Sequence, residues 1–158
     1  MEKAKLQKAA KFIPQIKIFK GLSQSQTKKL FALGKEKNIR SGDVLFKAGD
    51  ASNELYILLS GQLSVKGHTQ TISVIDTFGV VGEMGVFTRQ PRSASIVATK
   101  DSALLVIRHR DLFHLIKRDK EFGYAVCMNV IHNLSEHLVF SNNLFEFYYM
   151  IGPANKKA

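Results

Sequence analysis

Between Asn38 and Arg108 the chain consists of short β-rich runs with turn residues set between them, and this texture decides most of what it can fold into. The runs are 43–47, 54–60, 62–66, 71–75, 94–99 and 103–108. The breaks are Ser41-Gly42, Ala48-Gly49-Asp50, Ser60-Gly61, Lys66-Gly67-His68 and Phe78-Gly79. Glycine, serine and aspartate reverse the backbone cheaply, so each break reads as a turn. Short strands at this spacing predict an antiparallel sandwich, barrel or roll.

Helical patterns flank the β-rich body on both sides. Leu6, Ala9, Ala10 and Ile13 recur at helical spacing among lysines until Pro14 breaks the run. A second helix is expected from Ser23, with Gln26 completing a capping box, to about Gly34. After Arg108, Leu112, Leu115 and Ile116 mark a short helix, and a longer one follows over 122–150. The division is a basic N-terminal helical segment over 1–35, a β body over 36–109, and C-terminal helices of the same domain over 110–151.

At 158 residues the chain can bury a core without disulfides or metals. Its only cysteine, Cys127, can form no internal bridge, which suits a reducing compartment. The lysine-rich start lacks the apolar stretch of a secretory signal, and no run reaches the roughly 18 apolar residues of a membrane span. A cytoplasmic protein is expected. The net charge of +10 suggests nucleic acid at first, but its distribution does not. Residues 1–40 hold eleven Lys/Arg against two Glu, whereas 41–158 hold twelve against eleven acidic residues. The basicity belongs to the N-terminal segment, which is either a solvated helix face or a contact for an acidic partner, a membrane surface or nucleic acid.

Residues 79–98 break the strand pattern and carry the candidate chemistry. Gly79, Gly82 and Gly85 lead into what the spacing predicts is one helical turn, and Pro91-Arg92 then leads into a strand. Free N–H groups at such a turn point at an anion, and glycine lets the backbone approach it. Arg92 adds a forked, charge-assisted donor. Glu83 accepts only, so it suits a sugar hydroxyl. The glycine spacing is neither a P-loop, since no Gly-Lys-Ser/Thr follows, nor a dinucleotide fingerprint. On residues alone, a glycine-rich turn with a surface arginine remains the alternative. His109 and His114, like His132 and His137, are five apart and so on different helix faces, and Cys127 has no CxxC partner; no metal site is expected. No nucleophile elbow occurs, and no catalytic activity is expected.

The run Ser41-Gly42-Asp43-Val44-Leu45-Phe46-Lys47-Ala48-Gly49, the run Leu55-Tyr56-Ile57-Leu58-Leu59-Ser60-Gly61, and the segment from Gly82-Glu83-Met84-Gly85 to Pro91-Arg92-Ser93-Ala94 together resemble the cyclic nucleotide-binding domain family over about residues 17–150. That resemblance implies an eight-stranded β-roll with flanking helices and a phosphate-binding cassette. It implies that Glu83 accepts from the ribose 2′-hydroxyl and that Arg92 pairs with the cyclic phosphate. Ser93 would support the phosphate or reach the base, and the amides of Met84 and Gly85 would complete a nest that begins at Gly82. The family often has Gly-Asp before a Phe-Gly-Glu of the cassette; here Phe78-Gly79-Val80-Val81-Gly82-Glu83 lacks the acid, and Val81 replaces Phe. The implied ligand is cyclic AMP or cyclic GMP, with no cofactor. Serine rather than threonine at position 93 favours cyclic AMP.

The long helix carries Cys127, Ile131, Leu134, Leu138, Ser141, Phe145 and Tyr148 at alternating spacings of four and three. That pattern is a homodimer seam or a stripe packed on the chain's own roll. In the family this helix closes over the purine, which makes Ser141 and Asn142 the expected base contacts. The very apolar tail over 144–151 is expected to act as a lid or a buried interface for a partner protein. About eight residues follow the long helix, too few for a DNA-binding domain, so a stand-alone sensor or an excised fragment is expected. The competing expectation is an interaction or structural module with a ligand-free pocket.

Overall fold

A computed structural model describes residues 12–67 and 70–151. Two single 3₁₀ turns, Ile13–Gln15 and Lys17–Phe19, bury Ile13, Ile18 and Phe19. The expected first helix lies almost wholly outside the described residues. Helix α1 (Gln24–Leu33) starts at Ser23 with the reciprocal capping box the sequence predicts: Gln26 N–H donates to Ser23 Oγ at 3.2 Å, and Ser23 N–H to Gln26 Oε1 at 3.0 Å. Strands β1 (Lys35–Ile39), β2 (Val44–Phe46), β3 (Glu54–Lys66), β4 (Thr71–Ile75) and β5 (Val80–Val81) follow. Then come helix α2 (Glu83–Thr88), strand β6 (Ser95–Arg108), and helices α3 (His109–Arg118) and α4 (Lys120–Ile151).

All pairings are antiparallel, in the order β1-β6-β3-β4, with β2 added to β6 and β5 to β3. The described residues form six strands rather than eight. The runs 54–60 and 62–66 are one strand, as are 94–99 and 103–108. Ser60-Gly61 is absorbed as a register shift within the β3–β6 ladder instead of turning the chain. β1 escapes the sequence pattern because Lys35, Glu36, Lys37 and Asn38 are all exposed, so it shows no apolar alternation although it pairs with β6.

The central strands are buried on both faces, which explains their near-continuous apolar runs. Along β3, Leu55 and Ile57 join the 3₁₀ turns, α1, Leu112, Phe122 and Val126 in a helix-side core. Tyr56 and Leu58 point the other way, into a second core inside the roll with Leu63, Val81, Ile96 and Ala98. β6 repeats the alternation, with Leu105 and Ile107 on the first side and Leu104 and Val106 on the second. The roll-side core forms the floor on which the candidate site stands.

Asp119 starts α4 by accepting from the Phe122 amide at 3.0 Å. Phe122 and Val126 anchor its first turns in the core. Asn129 Nδ2 donates to Lys20 O at 2.8 Å, and Lys17 pairs with Glu136 at 2.7 Å. From Leu134 to Met150 every residue is exposed. Among the described residues no helix is long and apolar enough to cross a membrane.

Candidate functional site

β5 delivers the chain to the cassette. Val81 pairs with Tyr56 and is buried, so the valine that replaces phenylalanine still packs. Gly82 then takes a left-handed conformation (φ 83°) at the start of α2. A Cβ there would collide with Arg92 Nη1 and lie 3.0 Å from Glu54 O, so both the backbone and the arginine require glycine. One turn on, Gly85 presses against Ser52, and a Cβ would lie 2.9 Å from Gln90 O. Arg89, also left-handed (φ 59°), closes the helix by donating its N–H to Gly85 O at 2.8 Å. The exit is clamped to the Gly49-Asp50 turn: Arg92 N–H donates to Asp50 O at 2.9 Å and Gly49 N–H to Arg92 O at 2.8 Å.

These constraints set Arg92 inside the protein, 6% exposed. Its Nη1 donates to Gly82 O at 3.0 Å and its Nη2 to Glu54 O at 2.7 Å. The guanidinium lies 4.1 Å from the Phe46 ring centroid and 5.6 Å from that of Tyr56. Nε is buried without a partner. Two of the five N–H groups of the guanidinium go to carbonyls, and the Tyr56 side chain is a further partner. Among the described residues no carboxylate forms an ion pair with Arg92. The Glu54 carboxylate accepts instead from the Tyr56 hydroxyl at 2.7 Å. Burial, then that bond, push the Tyr56 phenol well above its ordinary value. Burial also works against the charge of Arg92 and lowers its pKa. The charges of Glu54 and Glu83 offset part of the cost of burying this cation, and an arriving anion relieves more of it.

Arg92 lines a cavity of about 410 Å³. Gly82, Glu83, Met84, Gly85 and Ser93 line it as well, so the structure brings together every cassette residue expected from the sequence. Burial raises the pKa of Glu83, and the positive charges available from His137 and Arg92 pull it back only in part. Met84 and Ser93 are exposed at the rim.

The far wall differs from expectation. α4 reaches the cavity through Asn133 and His137, while Ser141 and Asn142 are exposed and outside its lining. The reason is distance along the helix: Ser141 and Asn142 lie a turn or more beyond His137, the last residue of α4 in the lining. The anchored face of α4 runs Phe122, Val126, Val130, Asn133, His137, whereas the seam 127, 131, 134, 138 lies about 100° around the helix. Lys17 and Ile18 also line the cavity and carried no motif that could have marked them.

A family model described as "Cyclic nucleotide-binding domain" matches residues 36–119, from β1 to the end of α3. A cGMP-dependent protein kinase of Toxoplasma gondii is 27% identical over 135 residues, 85% of this chain and 12% of that protein. A cyclic AMP receptor protein of Thermus thermophilus is 27% identical over 106 residues, 64% of this chain and 49% of its own. The chain therefore spans about a tenth to a half of the length of these relatives. The crystal structure of the Thermus thermophilus catabolite activator protein superimposes with a TM-score of 0.75 at 24% identity, covering 84% of this chain and 63% of that one, a likeness of fold. With the roll, the cassette and the family match in agreement, this chain belongs to the cyclic nucleotide-binding domain family.

Proposed function

We propose that the domain binds one purine cyclic nucleotide, cyclic AMP in preference to cyclic GMP, as a signal and does no chemistry on it. Arg92 carries the proposal: a buried cation that forms no ion pair among the described residues, bonded to two carbonyls and facing a cavity beside one half-buried carboxylate. In this arrangement the cyclic phosphate takes the unused N–H groups of Arg92 and the first amides of α2, at Met84 and Gly85. Glu83 accepts from the ribose 2′-hydroxyl, and that bond favours the ionised carboxylate that burial disfavours. Ser93 supports the phosphate at the rim. The base lies toward Asn133 and His137, the side chains that α4 contributes. Because α4 is held to the Lys17–Phe19 turn by Asn129 and Glu136, drawing His137 onto a ligand shifts the exposed half of the helix, and that shift is the relay.

Calorimetric titration with cyclic AMP, cyclic GMP and linear AMP tests this. Cyclic AMP binds tightest and linear AMP weakest, since the open dianionic phosphate does not fit the nest. Equal binding of linear and cyclic forms overturns the cassette assignment. No binding of any of them leaves the domain as an interaction module.

A further inference from the structure

A second cavity, of about 1000 Å³, opens beside the cassette and shares no lining residue with the first. Its walls are the 51–53 loop, Arg89, Pro91 and the first turns of α3. Arg89, Arg110 and Lys117 bring three permanent positive charges to it, and His109 and His114 add two imidazoles. Asp111 is the one carboxylate in the lining, and its ion pair is with Arg110 at 3.7 Å. Among the described residues neither Arg89 nor Lys117 has an ion-pair partner. The floor is apolar, with Leu33, Pro91 and Phe113, on which His109 stacks at 4.2 Å.

We infer that this groove docks an acidic peptide segment of a partner protein, with an apolar side chain on the Leu33–Pro91–Phe113 floor and carboxylates on Arg89, Arg110 and Lys117. Charge complementarity selects an anion. The apolar floor and the size of the recess select more than a phosphate ion. From Arg110 to Lys117 the helix rises about 10 Å, which about three extended residues span. A bilayer would touch only the rim of such a recess and leave its floor empty. Burial and then the charge of Arg89 hold the His109 imidazole below its ordinary pKa, in keeping with a site that has an excess of positive charge. Ser52 lines the groove and presses on Gly85, so a bound segment rests against the back of the cassette.

The test is fluorescence anisotropy with a fluorescein-labelled octapeptide of alternating glutamate and leucine, and its glutamine counterpart, on the nucleotide-free domain. The glutamate peptide binds saturably and more weakly as salt rises. Arg110→Glu combined with Lys117→Glu weakens it about tenfold or more, since each attractive contact becomes a repulsive one. Lys66→Glu combined with Lys100→Glu, which changes net charge equally but away from the groove, leaves it unchanged. Should the reversed pair lose its circular dichroism signature, Arg110→Gln with Lys117→Gln takes its place. Equal binding of the glutamine peptide, equal weakening by the distant pair, or no saturable binding overturns the inference. So does tighter binding of phosphatidylserine vesicles or a single-stranded oligodeoxynucleotide that is lost in the same groove variant.

Discussion

Arg92→Ala separates what this side chain does for the fold from what it does for a ligand. In the fold, the substitution strips the donors from Gly82 O and Glu54 O and empties the place beside Phe46 and Tyr56. Hydrogen bonds from a charged group contribute about 1.5–3 kcal/mol each. Here the cation has also lost its hydration, and water from the adjoining cavity can reach the two carbonyls, so the net loss of stability is about 2 kcal/mol. For a domain of this size that lowers Tm by roughly 4–8 °C. In binding, the phosphate loses its forked, buried cationic partner, at about 3 kcal/mol, a hundredfold or more in Kd. Arg92→Lys keeps the charge, but a single ammonium cannot serve two carbonyls and a phosphate together, so it falls between the two. Calorimetry with cyclic AMP reads the affinity, and thermal melts by circular dichroism read the fold. Alanine binding within about threefold of wild type, on a domain that melts normally, would refute the role given to Arg92.

Gly82→Ala places a Cβ against Arg92 Nη1 in a left-handed conformation that costs alanine about 1–2 kcal/mol, so it lowers both Tm and affinity; wild-type values for both would show that the glycine is not required. Glu83→Ala costs roughly 1–2 kcal/mol in affinity and binds 2′-deoxy cyclic AMP as well as cyclic AMP, because the two changes delete one bond; additive losses would separate Glu83 from the ribose. The pKa of Glu83 is raised in the folded domain, so the unfolded chain ionises it first as pH rises, and stability falls with pH from about its ordinary value of 4.5 upward until the folded group ionises as well. Glu83→Gln flattens that segment of a Tm-against-pH profile, and an unchanged profile would assign the slope elsewhere.

The strands, the helix starts and the cassette were legible because each rests on local chemistry. Ser23 and Gln26 form their box within one turn of chain. The apolar runs 55–58 and 104–107 declare strands that are covered on both sides. Glycine at 82 and 85 reads in the sequence as room for an anion; the structure shows in addition that Arg92 and Ser52 leave no space for a Cβ at either position. What stayed hidden depends on long-range placement. Whether Ser60-Gly61 turns the chain or only shifts its register is decided by the partner strand. That Arg92 bonds Glu54 O, 38 residues away, follows from how β3 passes beneath the cassette. The cavity-facing side of α4 is set by which residues Phe122 and Val126 meet in the core, and a stripe one residue out of phase looked equally good by spacing.

That stripe now makes a sharper claim than the sequence allowed. A helix packed on its own roll would bury it, yet Leu134, Leu138 and Phe145 are 40%, 62% and 70% exposed. Packing on the roll is therefore not what covers these side chains, and a second copy of the helix meeting the same stripe is the arrangement that the alternating spacing fits. Leu138→Glu then places its charge in water within the monomer and disturbs no core contact, so circular dichroism and Tm at low concentration stay near wild type. In a dimer the same carboxylates would be forced into an apolar seam, a desolvation that the association cannot carry. Sedimentation equilibrium is expected to give a dimeric wild type and a monomeric, folded Leu138→Glu. Phe140, seven residues beyond Asn133 on the cavity-facing side, supplies the control: Phe140→Ala leaves the mass unchanged. A monomeric wild type, or a Leu138→Glu dimer, would mean that the stripe is not the surface on which two copies meet.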